Sequence, residues 1–200
     1  MNATAAFTTS TDELFITLTN LQADPTSVVQ NLSGLAFTLS NTSLLSGTLS
    51  SSAGSLRTIA SNGTYADGAA SATGWAFSST GGGGFLLNVL GTATAPAHTI
   101  VGPPNGSGFY ASANNSIAGN APHNPFIGEF ATFTLSIPGV TDATTIAAAT
   151  FSFGTSEGND VPGVPPNEIP QTEAPEPASL LLIGGGLVLL GSIRRLRTRS

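Results

Sequence analysis

His98 and His123 are the two histidines of the chain, and both sit in proline-flanked loop sequences, PAHTI and PHNPF. An imidazole titrates near neutrality and ligates metals, so the pair with a nearby acid could form a metal site or an acid–base pair. Histidines in irregular loops equally serve by hydrogen-bonding the backbone around them. Trp75, with Tyr65 or Tyr110, could offer a flat platform for the apolar face of a sugar ring. A tryptophan is also highly buried on average, which makes Trp75 a candidate core residue. The stretch SEGND holds Glu157, Asn159 and Asp160, and NGTYADG holds Asn62 and Asp67. Oxygen ligands of these types suit calcium. Neither stretch has EF-hand spacing, and turn residues making Asx bonds have the same composition.

Composition narrows the chemistry further. The 200 residues contain no cysteine, and all five cations are arginines. Without lysine there is no Walker A loop, no Schiff-base amine and no intramolecular isopeptide brace. Without cysteine there is no thiol nucleophile, disulfide or thiolate metal site. The acids Asp12, Glu13, Asp24, Asp67, Glu129 and Asp142 are scattered, so no pair of glycosidase carboxylates is visible. Gly106-Ser107-Gly108 lacks the spacing of a nucleophile elbow. The residues therefore point away from an enzyme and call for no cofactor. Stability must come from core packing, with calcium as the one candidate brace. Residues 1–193 carry one arginine and all eleven acids, a net charge of −10, which excludes nucleic acid as a partner of the body. Residues 194–200 carry four arginines, and such asymmetry at a chain end points to a membrane or an acidic partner.

The elements that must position these residues are strands. Leu14, Ile16 and Leu18 alternate with Thr17 and Thr19, a half-buried strand within Asp12–Leu21. Leu35, Phe37 and Leu39 repeat the pattern. Phe85–Leu90 is apolar on both faces and suits a central strand. Ala131, Phe133, Leu135 and Ile137 alternate with Thr132, Thr134 and Ser136. Phe151 and Phe153 mark a last strand, and shorter ones are expected near Leu45–Leu49, Leu56–Ala60 and Trp75–Phe77. Turn signals stand between them at Asp24-Pro25, Asn62-Gly63, Asp67-Gly68, Gly81–Gly84 and Pro138-Gly139. The long loop-like region 91–125 is expected to contain a short strand or two. The body thus reads as all-β, a single β-sandwich or jelly-roll-like domain over residues 1–157. Residues 158–174 read as a proline-rich, extended linker.

The end of the chain is the most specific part. Pro175-Glu176-Pro177 is followed by an apolar run, residues 178–193, and then by RRLRTRS with Arg194, Arg195, Arg197 and Arg199. As a helix the run would be roughly 24 Å long. That is slightly short of a hydrocarbon core of about 30 Å, a mismatch that bilayer thinning absorbs. The arginines would remain cytoplasmic and the body would lie outside.

This ordered tail, residues 175–200, resembles the PEP-CTERM sorting signal of exosortase-processed bacterial proteins. The resemblance implies that Pro175, Glu176 and Pro177 form the recognition motif for a membrane-embedded exosortase, which cleaves near it. It further implies release to the cell surface or a polysaccharide matrix. The body resembles a group of PEP-CTERM proteins in NGTYADG, PAHTIVGPPNGSG, SIAGNAPHNPF and FSFGTSEGNDVPG, a likeness that assigns no reaction. The expected function is that of an exported surface or extracellular-matrix protein with a structural or interaction body. The alternatives are an extracellular carbohydrate-binding module and a plain tail-anchored membrane protein. Residues 1–11, MNATAAFTTST, contain neither a basic residue nor an apolar run. A secretory signal is therefore expected to be encoded upstream.

Overall fold

Period-two alternation needs a face to bury, and the chain provides one by folding into a single hydrogen-bonded sheet. The computed structural model describes residues 1–44, 46–90, 98–120 and 123–164. These comprise β1 (Ala3–Ser10), β2 (Glu13–Asn20), a 3-10 turn (Val28–Gln30), β3 (Leu32–Leu39) and β4 (Thr48–Ile59). There follow β5 (Tyr65–Ser71), β6 (Ala76–Gly81), β7 (Gly84–Asn88), β8 (Ile100–Val101), β9 (Phe126–Ser136), β10 (Ile146–Phe153) and β11 (Asp160–Pro162). The all-β reading holds: among the described residues there is no α-helix. No described helix is long and apolar enough to cross a membrane. The expected membrane helix at 178–193, the PEP motif and the arginine tail all lie outside the described residues.

The sheet has two five-stranded arms. One runs β1-β2-β9-β4-β5 and the other β11-β10-β3-β7-β6. The two-residue β8 joins them, parallel to β9 at Ile100↔Ile127 and antiparallel to β3 at Leu32↔Ile100. Every other pairing is antiparallel. This bridging strand falls within the region 91–125 where a short strand was expected. Leu14, Ile16, Leu18, Phe133 and Leu135 from one arm share one core with Leu35, Phe37, Phe85 and Phe153 from the other. A second, smaller cluster gathers Ile59, Val101, Tyr110, Ile117 and Phe126.

Two expectations about turns meet different fates. Gly81, Gly82 and Gly83 all have positive φ, so the glycine run is the β6–β7 hairpin loop, and only glycine adopts such a succession without strain. Asp67-Gly68 was expected to turn the chain, but it lies inside β5, with Asp67 opposite Arg57 of β4. The strand wins because it satisfies the charge of Arg57. The Trp75–Phe77 strand begins one residue later, at Ala76, and β4 begins at Thr48. At the start of the expected linker, Asp160, Val161 and Pro162 pair with β10. Residues 165–174 of that linker lie outside the described residues.

Candidate functional site

The described arginine, Arg57, is buried at 6% exposure, and a cage of four side chains accounts for it. A buried guanidinium is tolerated only where its donors are paired. Its placement comes from irregularities in β4 and β9. The β4–β5 register shifts between Ser55 and Arg57, and the β4–β9 register shifts between Gly54 and Leu56. Such bulges re-aim a side chain relative to the regular alternation. In β9, Glu129 lies at this irregularity with φ 65°. The left-handed conformation is uncommon for a residue with a side chain.

Arg57 Nε and Nη2 donate to the two carboxylate oxygens of Asp67 at 2.6 and 2.7 Å. Nη1 donates to Glu129 Oε1 at 2.9 Å and to the Tyr110 hydroxyl oxygen at 3.0 Å. The Tyr65 ring lies under the guanidinium, 4.2 Å from centroid to Cζ, and meets Tyr110 edge-on at 5.5 Å. The Tyr110 hydroxyl donates onward to the Gly102 carbonyl at 2.7 Å. A Cβ at Gly102 would run into the Gln22 backbone, so glycine is the residue that lets these two backbone segments pass so closely.

The electrostatics follow from this wiring. Burial opposes the charge of Arg57, but the hydrogen bonds to Asp67, Tyr110 and Glu129 more than offset it and raise its pKa. The hydrogen bond from Arg57 holds the Asp67 carboxyl below the ordinary carboxylate range. Burial pushes the Tyr110 phenol up to about 12, against the opposing influence of Arg57. Every guanidinium nitrogen is engaged and one ring face covers the cation, so the cage braces three strands and a loop rather than presenting a free anion site. Sequence reading missed it. The available signal was that Arg57 is the sole cation in the first 193 residues.

The residues singled out from sequence are placed differently. Trp75 is 2% exposed and packs on Phe133 at 5.3 Å. It therefore cannot stack a sugar, and Tyr65 and Tyr110 are committed to Arg57; the proposed aromatic platform is not formed. Trp75 and His98 do come together: the indole Nε1 donates to the His98 carbonyl at 2.8 Å. His98 Nδ1 lies 2.7 Å from the Pro125 carbonyl oxygen, so the ring holds loop backbone. His123 bonds through its amide to the Asn120 carbonyl at 3.0 Å. Its neighbour Asn124 clamps both backbone groups of Ile59, at 3.1 and 2.6 Å.

Of the calcium candidates, Asp160 accepts from the Ser152 hydroxyl at 2.6 Å, and Glu157 is exposed. Asn62 accepts from Thr64 and closes a local turn, while Asp67 faces Arg57, so NGTYADG does not gather its oxygens around one point. Among the described residues no three His, Asp or Glu side chains converge as metal ligands. A shallow groove of about 100 Å3 lies against Ala36, Thr38, Thr80, Phe85, Ala148 and Thr150 and contains no acid or base. Comparisons of the chain with known protein families, with curated proteins and with solved structures find no match.

Proposed function

We propose that the chain is an exported surface or extracellular-matrix protein, sorted and cleaved by an exosortase-type enzyme through its C-terminal signal. The observation that carries this is the order of three elements within residues 175–200. Pro175-Glu176-Pro177 comes first, then the apolar run, then Arg194, Arg195, Arg197 and Arg199. The apolar run holds the precursor in the membrane and the arginines fix its orientation. The proline-rich composition of the segment before it fits the presentation of PEP to that enzyme.

The body is read as a structural or interaction domain, a β-sandwich whose two arms pack face to face. The single core shared by Phe133 of one arm and Phe37 of the other supports that reading. Each charged group of the Arg57 cage is engaged within the fold, which fits a brace better than a reactive centre. Burial of Trp75 counts against a carbohydrate-binding module built on that side chain. Replacing Pro175-Glu176-Pro177 by three alanines tests the sorting reading. The expected result is accumulation of uncleaved precursor in the membrane fraction. Release at the normal rate would contradict it.

A further inference from the structure

The edge strand β1 pairs with β2 along an unbroken register, from Ala3↔Asn20 to Ser10↔Glu13. One step beyond, the Leu21 amide donates to the Asn2 carbonyl at 2.9 Å. Hydrogen-bonded and non-hydrogen-bonded pairs alternate along an antiparallel ladder. Thr4, Ala6 and Thr8 therefore exchange bonds with β2, and Ala3, Ala5, Phe7 and Thr9 turn their amides and carbonyls away from it. Among the described residues, no backbone group of another element takes up this outer row.

Isolated edge strands are normally guarded by lysine, proline, an inward charge or a bulge. The sequence ATAAFTTS of β1 has no charge and no proline, and its register has no shift. Residues 1–165 carry eight acids against one arginine, so two copies repel least where charge is missing. Ala3, Ala5 and Phe7 form a half-buried rim of the main core that a further strand would finish covering.

We propose that a second copy of this chain adds to this edge, β1 against β1, antiparallel about a two-fold axis. The contact is isologous and closes as a dimer with one continuous sheet. The register that engages the whole outer row sets Ala5 opposite Phe7 of the partner subunit and Ala3 opposite Thr9 of the partner subunit. Ala6 then meets Ala6 of the partner subunit as a non-hydrogen-bonded pair. The Cα separation at such a pair is about 4.5 Å, within reach of a disulfide.

Sedimentation of the full chain in mild detergent, over a range of concentration, tests the proposal with two variants. Ala5→Pro removes an outward amide and leaves the β2 ladder intact. It is expected to raise the dimer Kd about tenfold or more with unchanged circular dichroism. Ala6→Cys, in a chain with no other cysteine, is expected to give a covalent dimer on mild oxidation. Ala53→Cys, exposed on β4, is the control and is expected to stay monomeric under the same oxidation. A chain that is monomeric at every concentration overturns the proposal. So does a dimer whose Ala6→Cys variant cross-links no faster than Ala53→Cys.

Discussion

Arg57 and Asp67 stand opposite one another in the β4–β5 ladder, and the guanidinium fork meets the carboxylate along two bonds of 2.6 and 2.7 Å. The cation is buried while its anion is about half exposed, at 7% and 46% of their side-chain areas. The two ends of the pair are therefore unequal. Removing Asp67 leaves the buried guanidinium with Nε and Nη2 unpaired and Glu129 as its one remaining anion, whereas removing the arginine leaves carboxylates that water can reach.

That asymmetry predicts a hierarchy. Asp67→Asn is expected to destabilise the fold by about 1–3 kcal/mol, lowering Tm by roughly 3–10 °C. The double variant Asp67→Asn with Arg57→Met is expected to be no less stable than Asp67→Asn alone, because the buried and only partly paired guanidinium is gone. Calorimetric melting of four proteins, the wild type, Asp67→Asn, Arg57→Met and the double variant, decides it. Simple additivity of the two losses would mean that the cage is not a coupled unit.

Acid should act through the same pair. The folded pKa of Asp67 lies below its unfolded value, so the folded state binds fewer protons as pH falls. The contribution is fully present above about pH 4 and is lost as pH falls through the folded pKa. Melting temperature against pH is expected to drop over that acid range in the wild type. In Asp67→Asn the drop should be distinctly shallower. Identical acid limbs would contradict the assignment.

Alkali should act through Tyr110. Its folded pKa, about 12, lies above the usual tyrosine value of about 10. The stabilisation is present below about pH 10 and is lost as pH rises toward about 12, because the unfolded phenol ionises first. The chain has two tyrosines. Absorbance titration of tyrosinate should show an ionisation near pH 12 that is absent in Tyr110→Phe. Loss of the phenol's bonds to Arg57 and Gly102 should also cost about 1–2 kcal/mol at neutral pH.

The single tryptophan gives a direct optical test of the sugar-platform idea. With Trp75 2% exposed against Phe133, its fluorescence is expected to be blue-shifted and resistant to iodide. Soluble oligosaccharides should leave it unchanged. A ligand-dependent shift would show that a sugar reaches this side chain.

Alternation made β2, β3 and β9 legible from sequence because each buries one face: Leu14, Leu18, Leu35 and Leu135 are all 0% exposed. The same signal is missing from β5. Its residues YADGAAS are almost all exposed and include a dipeptide that ordinarily turns. β1 is short of large apolar residues because only its rim touches the core. The Arg57 cage was not legible because bulges in β4 and β9 break the period that would have assigned Arg57 to a face. Its partners come from residues 10 and 72 positions away, brought together by pairing and not by spacing. Trp75 and His98 were singled out by type alone, and type does not reveal that an indole and an imidazole would both be spent on loop carbonyls.

The sorting account stands or falls on the C-terminus of the mature protein. Protein recovered from cells of the native host should be digested and its C-terminal peptide weighed. The account predicts a peptide ending near Pro175-Glu176-Pro177, with the apolar run and the arginines gone. An intact Arg199-Ser200 end on membrane-bound protein would contradict it and leave a plain tail anchor in its place.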